Sequence, residues 1–506
     1  MKSKSWISVA VEVIMTEKQM NDYLLQIDEV IKNGKYKDEW ESLAEYPVAK
    51  WYKEAKFGIF IHWGIYSVPA FLSEWYCRMM YYKGNPCRWH HVLKYGKNFN
   101  YRDFIPMFKA EKFNADEWAE FIKSSGAKFV MPVGEHHDGF KMYDSDLNEW
   151  TSVNMGPKRD ILGELKAACE KTGIIFSTSS HRAEHFWFLN GGSTLGIKNE
   201  TQDEKYREFY GECRNIHKRN NLFTMLKQEH GIEPTEEWLK DWLVSSCDLI
   251  DRYQPSSLFF DWWVSYKAFR PYMKKFLAYY YNRSLEWGKE VCVYYKSDAV
   301  MYNCAIFDRE RGQLENISPY IWQGETSTAY NAWSYCTTNH FKKPEIVACN
   351  LLDVISKNGC FVLNLGPKAD GTFCAEEKHI ISELGKWTKQ NEEAIWGTQP
   401  YKVFGEGKKQ KGGSFTEHFS YTSKDYRFTC KTGVVYAFAL KPAGKDRFRI
   451  KSLADTMDLF HCVIKNVSVL RTGESVDFSQ NGKYLSLKLS KKITGTMPIC
   501  FKIEVD

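Results

Sequence analysis

The sequence lacks the features that mark several common classes of protein. Its 14 cysteines form no Cys-x-x-Cys pair and have no regular spacing, which argues against a small disulfide framework and a clustered zinc site. No run approaches about 18 apolar residues, so no membrane-spanning helix is expected. The net charge is only +6 and the lysine runs are short, so no nucleic-acid partner is expected either.

The N-terminus bears only a partial likeness to an export signal. Residues 6–11 form an apolar run, but Glu12 interrupts it and no small-x-small cleavage site follows. Scattered cysteines without pairing are typical of reduced thiols. The sequence therefore predicts a cytoplasmic protein.

The chain is too long, at 506 residues, for one ordinary domain, and three regions differ in pattern. Residues 1–46 predict a helical extension, because apolar residues recur there at helical spacing. Residues 47–399 alternate short apolar runs with helical patterns, which predicts an α/β catalytic domain built as a (β/α)₈-like barrel. Residues 400–506 are rich in Gly, Lys, Thr and Val and predict an all-β sandwich. The apolar runs of the middle region are 57–63, 128–134, 173–177, 257–261, 291–295, 305–308 and 361–365.

Polar residues stand where these runs end, and strand ends form the open face of a barrel. The first run leads into His62 and Trp63, the second into His136 and His137, and the third into a cluster that contains His181. Adjacent histidines suggest a metal site, but neighbours on a strand point to opposite faces. Hydrogen bonding to a polyhydroxylated ligand is the interpretation that suits them better.

Carboxylates provide the sharpest signal. Asp261 lies among large apolar residues, and an unpaired buried acid costs on the order of several kcal/mol, so either structural pairing or function retains it. Glu310 follows another apolar run, between Arg309 and Arg311. Two carboxylates about 5 Å apart on neighbouring strands are what retaining glycoside hydrolysis requires. A salt bridge to a neighbouring arginine is the alternative for Glu310, and it would lower the pKa of that carboxyl.

Aromatic residues make up 16% of the chain. Most are expected in cores. A minority lie at strand ends beside histidines and carboxylates, where stacking on a sugar ring is the better explanation. These are Trp63, Trp75, Trp262, Trp263 and Trp322.

Four blocks resemble, in order along the chain, the signatures of the α-L-fucosidases of glycoside hydrolase family twenty-nine. The blocks are residues 51–76, which contain the run FGIFIHWG, residues 135–145, which begin EHHDGF, residues 354–371, which contain LNLGP, and residues 391–398, NEEAIWGT. Their combination is specific, although no single block would be.

The resemblance implies a retaining exo-glycosidase that removes terminal α-L-fucose through a covalent glycosyl-enzyme, with no metal or organic cofactor. Asp261 matches the family's nucleophile. The acid/base is placed variably in the family, with Glu310 the first candidate and Glu325 the second. Where many members have Trp-Glu this chain has Trp322 and Gln323, which directs attention to Glu310.

The resemblance also implies a set of residues that bind the sugar hydroxyls and the methyl-bearing face, and a fucosylated oligosaccharide or glycoconjugate as partner. Neither a membrane nor a nucleic acid is implied, and self-association is left open. Two alternatives stand: a catalytically silent fucose-binding barrel, and a glycosidase for a configurationally related sugar such as L-galactose or D-arabinose. The residues that match this set are His62, Glu74, Trp75, His136 and His137, and the strand-end positions add Trp63, His181, Trp263 and Arg311 as predicted substrate-binding residues.

Overall fold

The middle of the chain forms a closed barrel of eight parallel strand positions, as predicted. The computed structural model describes residues 15–189, 199–211, 233–455, 460 and 462–506, so the apolar run at 6–11 lies outside the described residues. β1 pairs with both β2 and β9, which closes the barrel, and β3 and β4 share one position. The strands are β1 Phe57–Ile61, β2 Phe129–Glu135, β3 Ile175–Phe176, β4 Thr178–Ser180, β5 Ser257–Phe260, β6 Cys292–Tyr295, β7 Ile306–Glu310, β8 Trp322–Ser327 and β9 Gly359–Leu365.

Helices alternate with these strands and cover the outside of the barrel. Two of them, Ala115–Ser124 and Ile161–Thr172, begin at capping side chains. Asn114 accepts a hydrogen bond from the backbone N–H of Glu117, and Asp160 accepts one from that of Gly163. Within the described ranges no helix is both long and apolar enough to cross a bilayer. The α-helices are Glu17–Asn33, Trp40–Leu43, Lys50–Ala55, Tyr76–Met79, Pro86–Tyr95, Ala115–Ser124, Ile161–Thr172, Arg182–Phe188, Arg207–Tyr210, Glu236–Tyr253, Arg270–Glu286, Pro344–Ser356, Ala375–Gln390 and Glu392–Ile395.

β8 is the barrel strand that the apolar runs do not include. Its sequence, WQGETS, is polar, yet every residue in it is buried. Gln323 donates a hydrogen bond to Asp308 of the neighbouring strand, 2.9 Å away. A strand whose inward side chains satisfy one another by hydrogen bonds carries no hydrophobic signature, and this is why the pattern misses it.

The barrel interior below the strand ends is apolar and aromatic. Phe60 and Phe259 meet edge to face with ring centroids 5.3 Å apart, and Tyr52 and Tyr294 pack beneath them. Rings packed in this way form a rigid floor. Side chains at the strand ends are therefore held above a dry base.

The C-terminal region forms two antiparallel sheets, in agreement with the predicted sandwich. One sheet has the order β10-β11-β12-β18-β14-β15 and the other β13-β17-β16. Phe448 and Phe501 pack between them, with ring centroids 4.9 Å apart. Between β10 and β11, residues 407–425 leave the sheet and reach the barrel. The strands are β10 Gln399–Glu406, β11 Tyr426–Lys431, β12 Val434–Ala439, β13 Arg447–Ile450, β14 Ile464–Val469, β15 Glu474–Ser475, β16 Asp477–Gln480, β17 Leu485–Lys488 and β18 Ile499–Val505.

Candidate active site

A cavity of about 450 Å³ opens at the carboxyl ends of the barrel strands, with Phe60 and Phe259 in its lining. Its position agrees with the rule that chemistry in this fold is carried by strand ends and the loops after them. Eleven of the twelve predicted site residues line it, which brings together positions up to 263 residues apart in sequence. They are His62, Glu74, Trp75, His136, His137, His181, Asp261, Trp263, Glu310, Arg311 and Glu325.

Trp63 is the exception, and the expectation that it stacks on substrate requires correction. Its ring packs against Phe108, Phe113 and Trp118 in the core, and its indole N–H donates to the carbonyl of Lys368. The N–H of His62 donates to the carbonyl of Leu365, so strand pairing continues one residue past β1. Successive side chains therefore still alternate here, and His62 takes the cavity side while Trp63 takes the core side.

Trp322 is likewise buried in the core rather than in the cavity lining. It is 1% exposed and donates its indole N–H to the carbonyl of Lys357, 2.9 Å away. It stands at the start of β8, far below the strand's open end, whereas stacking on a ligand requires a residue at that end.

A buried lysine, Lys296, joins the three candidate catalytic carboxylates. Its ammonium lies 2.9 Å from Asp261, 2.6 Å from Glu310 and 2.8 Å from Glu325. Because one nitrogen touches both Asp261 and Glu310, their facing oxygens are at most about 5.5 Å apart, within the range of a retaining carboxylate pair. The same reasoning brings Glu325 equally near, so distance alone does not separate the two glutamates.

The pKa values of Asp261 and Glu325 are shifted in opposite directions. Burial would raise the pKa of Asp261, but Lys296, His181 and His137 outweigh burial and hold this pKa well below its usual value. Burial and the neighbouring carboxylate Asp308 raise the pKa of Glu325 well above its usual value. Asp261 is therefore ionised at neutral pH, and Glu325 retains its proton.

Four histidines form the other wall of the cavity. Burial and neighbouring imidazoles hold the pKa of His62 and of His136 well below the usual value, so both rings are neutral. A neutral imidazole both donates and accepts hydrogen bonds, as a sugar hydroxyl does. The Nδ1 of His62 lies 2.6 Å from the Oδ1 of Asn364, which fixes the orientation of that ring.

His137 differs from the other histidines because it faces a buried acid. Its Nδ1 lies 3.2 Å from Glu184 and its Nε2 lies 3.8 Å from Asp261. Burial alone would lower the pKa of His137, but Glu184 outweighs burial and raises it. Glu184 also accepts the backbone N–H of Trp263, so it supports two residues of the cavity wall.

The adjacent pair His136 and His137 does not obey strand alternation. Both rings line the cavity, with centroids 4.1 Å apart. β2 ends at Glu135, and the chain turns immediately afterwards, with the N–H of Gly139 donating to the carbonyl of His136. The expectation of opposite faces is therefore wrong here, because it applies only within a strand.

Arg311 lines the cavity, but its guanidinium makes its contacts with other groups of the protein. It donates to the carbonyls of Ala329 and Ala332, pairs with Glu417 and lies 4.6 Å over the centre of the Trp333 ring. Glu74 supports the same loop by accepting the backbone N–H of Trp333, 3.0 Å away. Both residues thereby hold Trp333 in the cavity wall.

Sequence reasoning did not single out Lys296, Glu184, Trp333 or Phe415. Lys296 directly follows β6 and Glu184 lies three residues after His181, so the strand-end rule had a signal for both. Trp333 belongs to a long loop after β8, the undetected strand. Phe415 comes from the C-terminal region, and no local pattern connects it with a barrel.

Among the residues that the structure describes, two groups of side chains have ligand atoms close enough to share a cation. One is His62, His136 and His181, and the other is His137, His181 and Asp261, each with its atoms within 4.8 Å of one another. Three buried imidazoles suit zinc by chemistry. The same nitrogens suit ring hydroxyls, and Lys296 already supplies positive charge to Asp261.

The family model for α-L-fucosidases matches residues 23–393, most of the chain. The chain belongs to the α-L-fucosidase family. The matched span includes all eight barrel strand positions and stops before the C-terminal sheets. The barrel is therefore the part of the chain that the family model covers. The cluster of histidines and carboxylates lies within that part.

Individual fucosidases resemble the chain over most of its length. The tissue α-L-fucosidase of Mus musculus is 27% identical over 399 residues, which cover 74% of this chain and 77% of the mouse protein. The plasma α-L-fucosidase of Homo sapiens is 28% identical, with 79% and 78% covered. A crystal structure of the Thermotoga maritima α-fucosidase in complex with fucose is similar, with a TM-score of 0.72 and 29% identity over 92% of this chain and 100% of that one.

Replacing Lys296 with methionine is expected to raise the pKa of Asp261, because the ammonium is the strongest influence that favours the carboxylate over its acid form. The acidic limb of the pH dependence of kcat/KM for an aryl α-L-fucoside should then move to higher pH. Lys357→Met is the matched control, since Lys357 is also buried and paired, with Asp353, away from the cavity. An unmoved acidic limb in Lys296→Met would contradict this role.

Removal of metal ions by a chelator is expected to leave hydrolysis of the same fucoside unchanged. The reason is that we assign the histidines to the sugar hydroxyls, which they can bind only when no cation occupies their nitrogens. The test is dialysis against EDTA, with elemental analysis of the protein before and after. Loss of activity that Zn²⁺ restores, together with about one bound equivalent, would assign the imidazoles to a metal instead.

Proposed function

We propose that the protein is a retaining exo-α-L-fucosidase that removes terminal α-L-fucose from fucosylated oligosaccharides or glycoconjugates. The observation that carries the proposal is the pair Asp261 and Glu310, held about 5.5 Å apart or less by Lys296, beneath a wall of histidines. Membership of the α-L-fucosidase family supports the choice of sugar. A cavity of about 450 Å³ is large enough to hold a terminal sugar ring.

The two walls of the cavity suit the two sides of fucose. Neutral imidazoles of His62 and His136 can bond ring hydroxyls as donors or acceptors. The ring of Trp333 and the floor of Phe60 and Phe259 provide apolar surface for the methyl-bearing face. This division of polar and apolar surface supports a deoxy sugar over its hydroxylated relatives.

In the first step the Asp261 carboxylate attacks the anomeric carbon, the glycosidic bond breaks, and Glu310 gives its proton to the departing oxygen. This leaves fucose joined to Asp261 as an ester. In the second step Glu310 takes a proton from water, the water oxygen bonds to the anomeric carbon, and the Asp261 carboxylate leaves. Two inversions restore the original configuration.

Glu310 is assigned as the acid/base because it stands nearer the mouth. Its side chain is 9% exposed and that of Glu325 is 2% exposed. The indole N–H of Trp262, a partly exposed ring at the rim, donates to Glu310 at 2.5 Å. The departing group must leave toward solvent, so the proton donor belongs on that side. The raised pKa of Glu325 suits a buried group that keeps its proton and hydrogen-bonds its neighbours.

Asp261→Gly is expected to lower kcat/KM for an aryl α-L-fucoside by on the order of 10⁴-fold, because no other group can form the covalent intermediate. NMR of the wild-type reaction should show that α-L-fucose is the first product formed. Azide added to the variant should give the inverted β-fucosyl azide. Robust turnover by the variant, or an inverted first product from the wild type, would overturn the assignment, and binding without any turnover would favour the silent barrel.

Glu310→Ala is expected to lose about 10²-fold to 10⁴-fold of kcat/KM on a natural fucoside. Azide should rescue its turnover of an aryl fucoside and give α-fucosyl azide of retained configuration, because azide attacks the intermediate without needing a base. Glu325→Ala is the matched variant, since Glu325 also touches Lys296, and azide should not rescue it. Rescue of Glu325→Ala alone would transfer the role to Glu325.

We also propose a cytoplasmic location. The thirteen cysteines that the structure describes are all free, and most are buried. A chain with this many unpaired thiols is suited to a reducing compartment.

A further inference from the structure

We propose that residues 407–425 of the C-terminal region build the site for the leaving-group sugar, with Phe415 and Trp262 as the aromatic surface on which its ring stacks. The inference rests on the proposed function and extends it from the fucose to the sugar attached to it. The segment is outside the region that the fucosidase family model matches, which ends at residue 393.

Phe415 is part of the cavity lining and is exposed at its mouth. The residue is 57% exposed, and its ring is nearly parallel to that of Trp262, with an interplanar angle of 11° and centroids 6.3 Å apart. The two rings form one apolar surface at the open end of a polar site. Such a surface matches the C–H face of a pyranose, and aromatic rings of this kind commonly orient ligands in pockets.

The position of this surface follows from the acid/base. The indole N–H of Trp262 donates to the Glu310 carboxylate, and the backbone N–H of Phe415 donates to the Glu310 carbonyl, 3.0 Å away. During reaction the departing oxygen must lie within hydrogen-bond distance of the Glu310 carboxyl. The sugar bonded to that oxygen therefore lies beside Trp262, whose ring is stacked with that of Phe415.

The segment is docked on the barrel by backbone hydrogen bonds. Gly413 and Gln313 exchange two of them, at 2.9 and 3.2 Å, and the N–H of Glu417 donates to the carbonyl of Arg311. Gly312 allows this close approach, because a Cβ there would lie 1.9 Å from the carbonyl oxygen of Gly413. The segment thus lies against the chain that follows β7.

Buried charges fix the same segment from its other side. Glu417 lies 2.9 Å from Arg311 and 2.9 Å from Lys342, and Thr326 donates to the same carboxylate. Burial would raise the pKa of Glu417, but Lys342 and Arg311 outweigh it and lower that pKa. Breaking a buried, hydrogen-bonded ion pair is costly, so the segment holds a fixed position.

The backbone at Phe415 points to a role for the exposed ring. Its φ is 58°, in the left-handed region that bulky residues rarely adopt. Strained backbone that persists beside an active site is a reason to look for function. Here the strain coincides with an exposed aromatic ring and a rigid anchor two residues away.

The test compares two substrates that share the fucose and differ in the leaving group. α-L-Fucosyl fluoride places nothing on the proposed surface, whereas fucosyl disaccharides in which fucose is joined to galactose or N-acetylglucosamine place a pyranose there. The measured quantity is the ratio of kcat/KM for the disaccharide that the wild type cleaves fastest to kcat/KM for the fluoride. Phe415→Ala should lower this ratio about tenfold, mainly through a higher KM, because it removes a stacking surface.

Three further variants separate stacking from structural damage. Phe415→Trp should keep the ratio near the wild-type value, and Gly312→Ala should lower it by displacing the docked segment. Phe478→Ala is the matched control, because Phe478 is also partly exposed, at 39%, but lies on β16 away from the cavity. It should leave the ratio unchanged.

The possible outcomes distinguish this inference from the proposed function. If the wild type does not hydrolyse the fluoride, the proposed function fails. If it hydrolyses the fluoride but no disaccharide, or if Phe415→Ala leaves the ratio unchanged, the leaving-group site fails alone. A fall in the ratio that Phe415→Trp does not share supports the proposal.

Discussion

The candidate site depends on the contacts between the Lys296 ammonium and the carboxyl groups around it. This ammonium lies within 4.0 Å of four buried carboxyl groups, those of Asp261, Asp308, Glu310 and Glu325. One positive charge cannot balance four negative ones in a poorly solvated interior, so the group divides into ionised and protonated members. Burial raises the pKa of Asp308 to about 6, whereas the pKa of Asp261 is lowered. The ionised state of Asp261 is the one that a nucleophile needs.

The two regions of the chain contribute to different parts of the cavity. The barrel supplies the histidines, the carboxylates and the aromatic floor, all at strand ends, where a closed sheet fixes their positions. The C-terminal region supplies Phe415 at the mouth, held by the buried charges of Glu417, Arg311 and Lys342. Arg311 contacts both parts, because it also supports Trp333. The histidines, carboxylates and aromatic floor of the cavity therefore lie within the residues that the family model matches, whereas Phe415 at its mouth lies beyond them.

Strand-end reasoning succeeded where hydrophobic runs were clear. Apolar runs preceded His62, His136, His181 and Asp261, and all four line the cavity. It failed where a local rule was applied beyond its range. Trp63 faces the core because strand pairing continues through His62, whereas His136 and His137 share a side because the chain turns directly after β2. β8 escaped detection because its sequence is polar and Gln323, buried within it, hydrogen-bonds to Asp308 of β7.

The sequence by itself determined the barrel, the sandwich and the family, since these follow from the period of apolar residues and from motifs confined to short segments. It also placed Asp261 at a strand end. Only the tertiary structure decided that Lys296 stands among the carboxylates, because that arrangement needs four strands closed side by side. The same is true of Phe415, which is more than 100 residues after Glu310 in the chain and reaches it only through the docked segment. Charge balance and rim shape depend on distances between side chains, which sequence patterns do not encode.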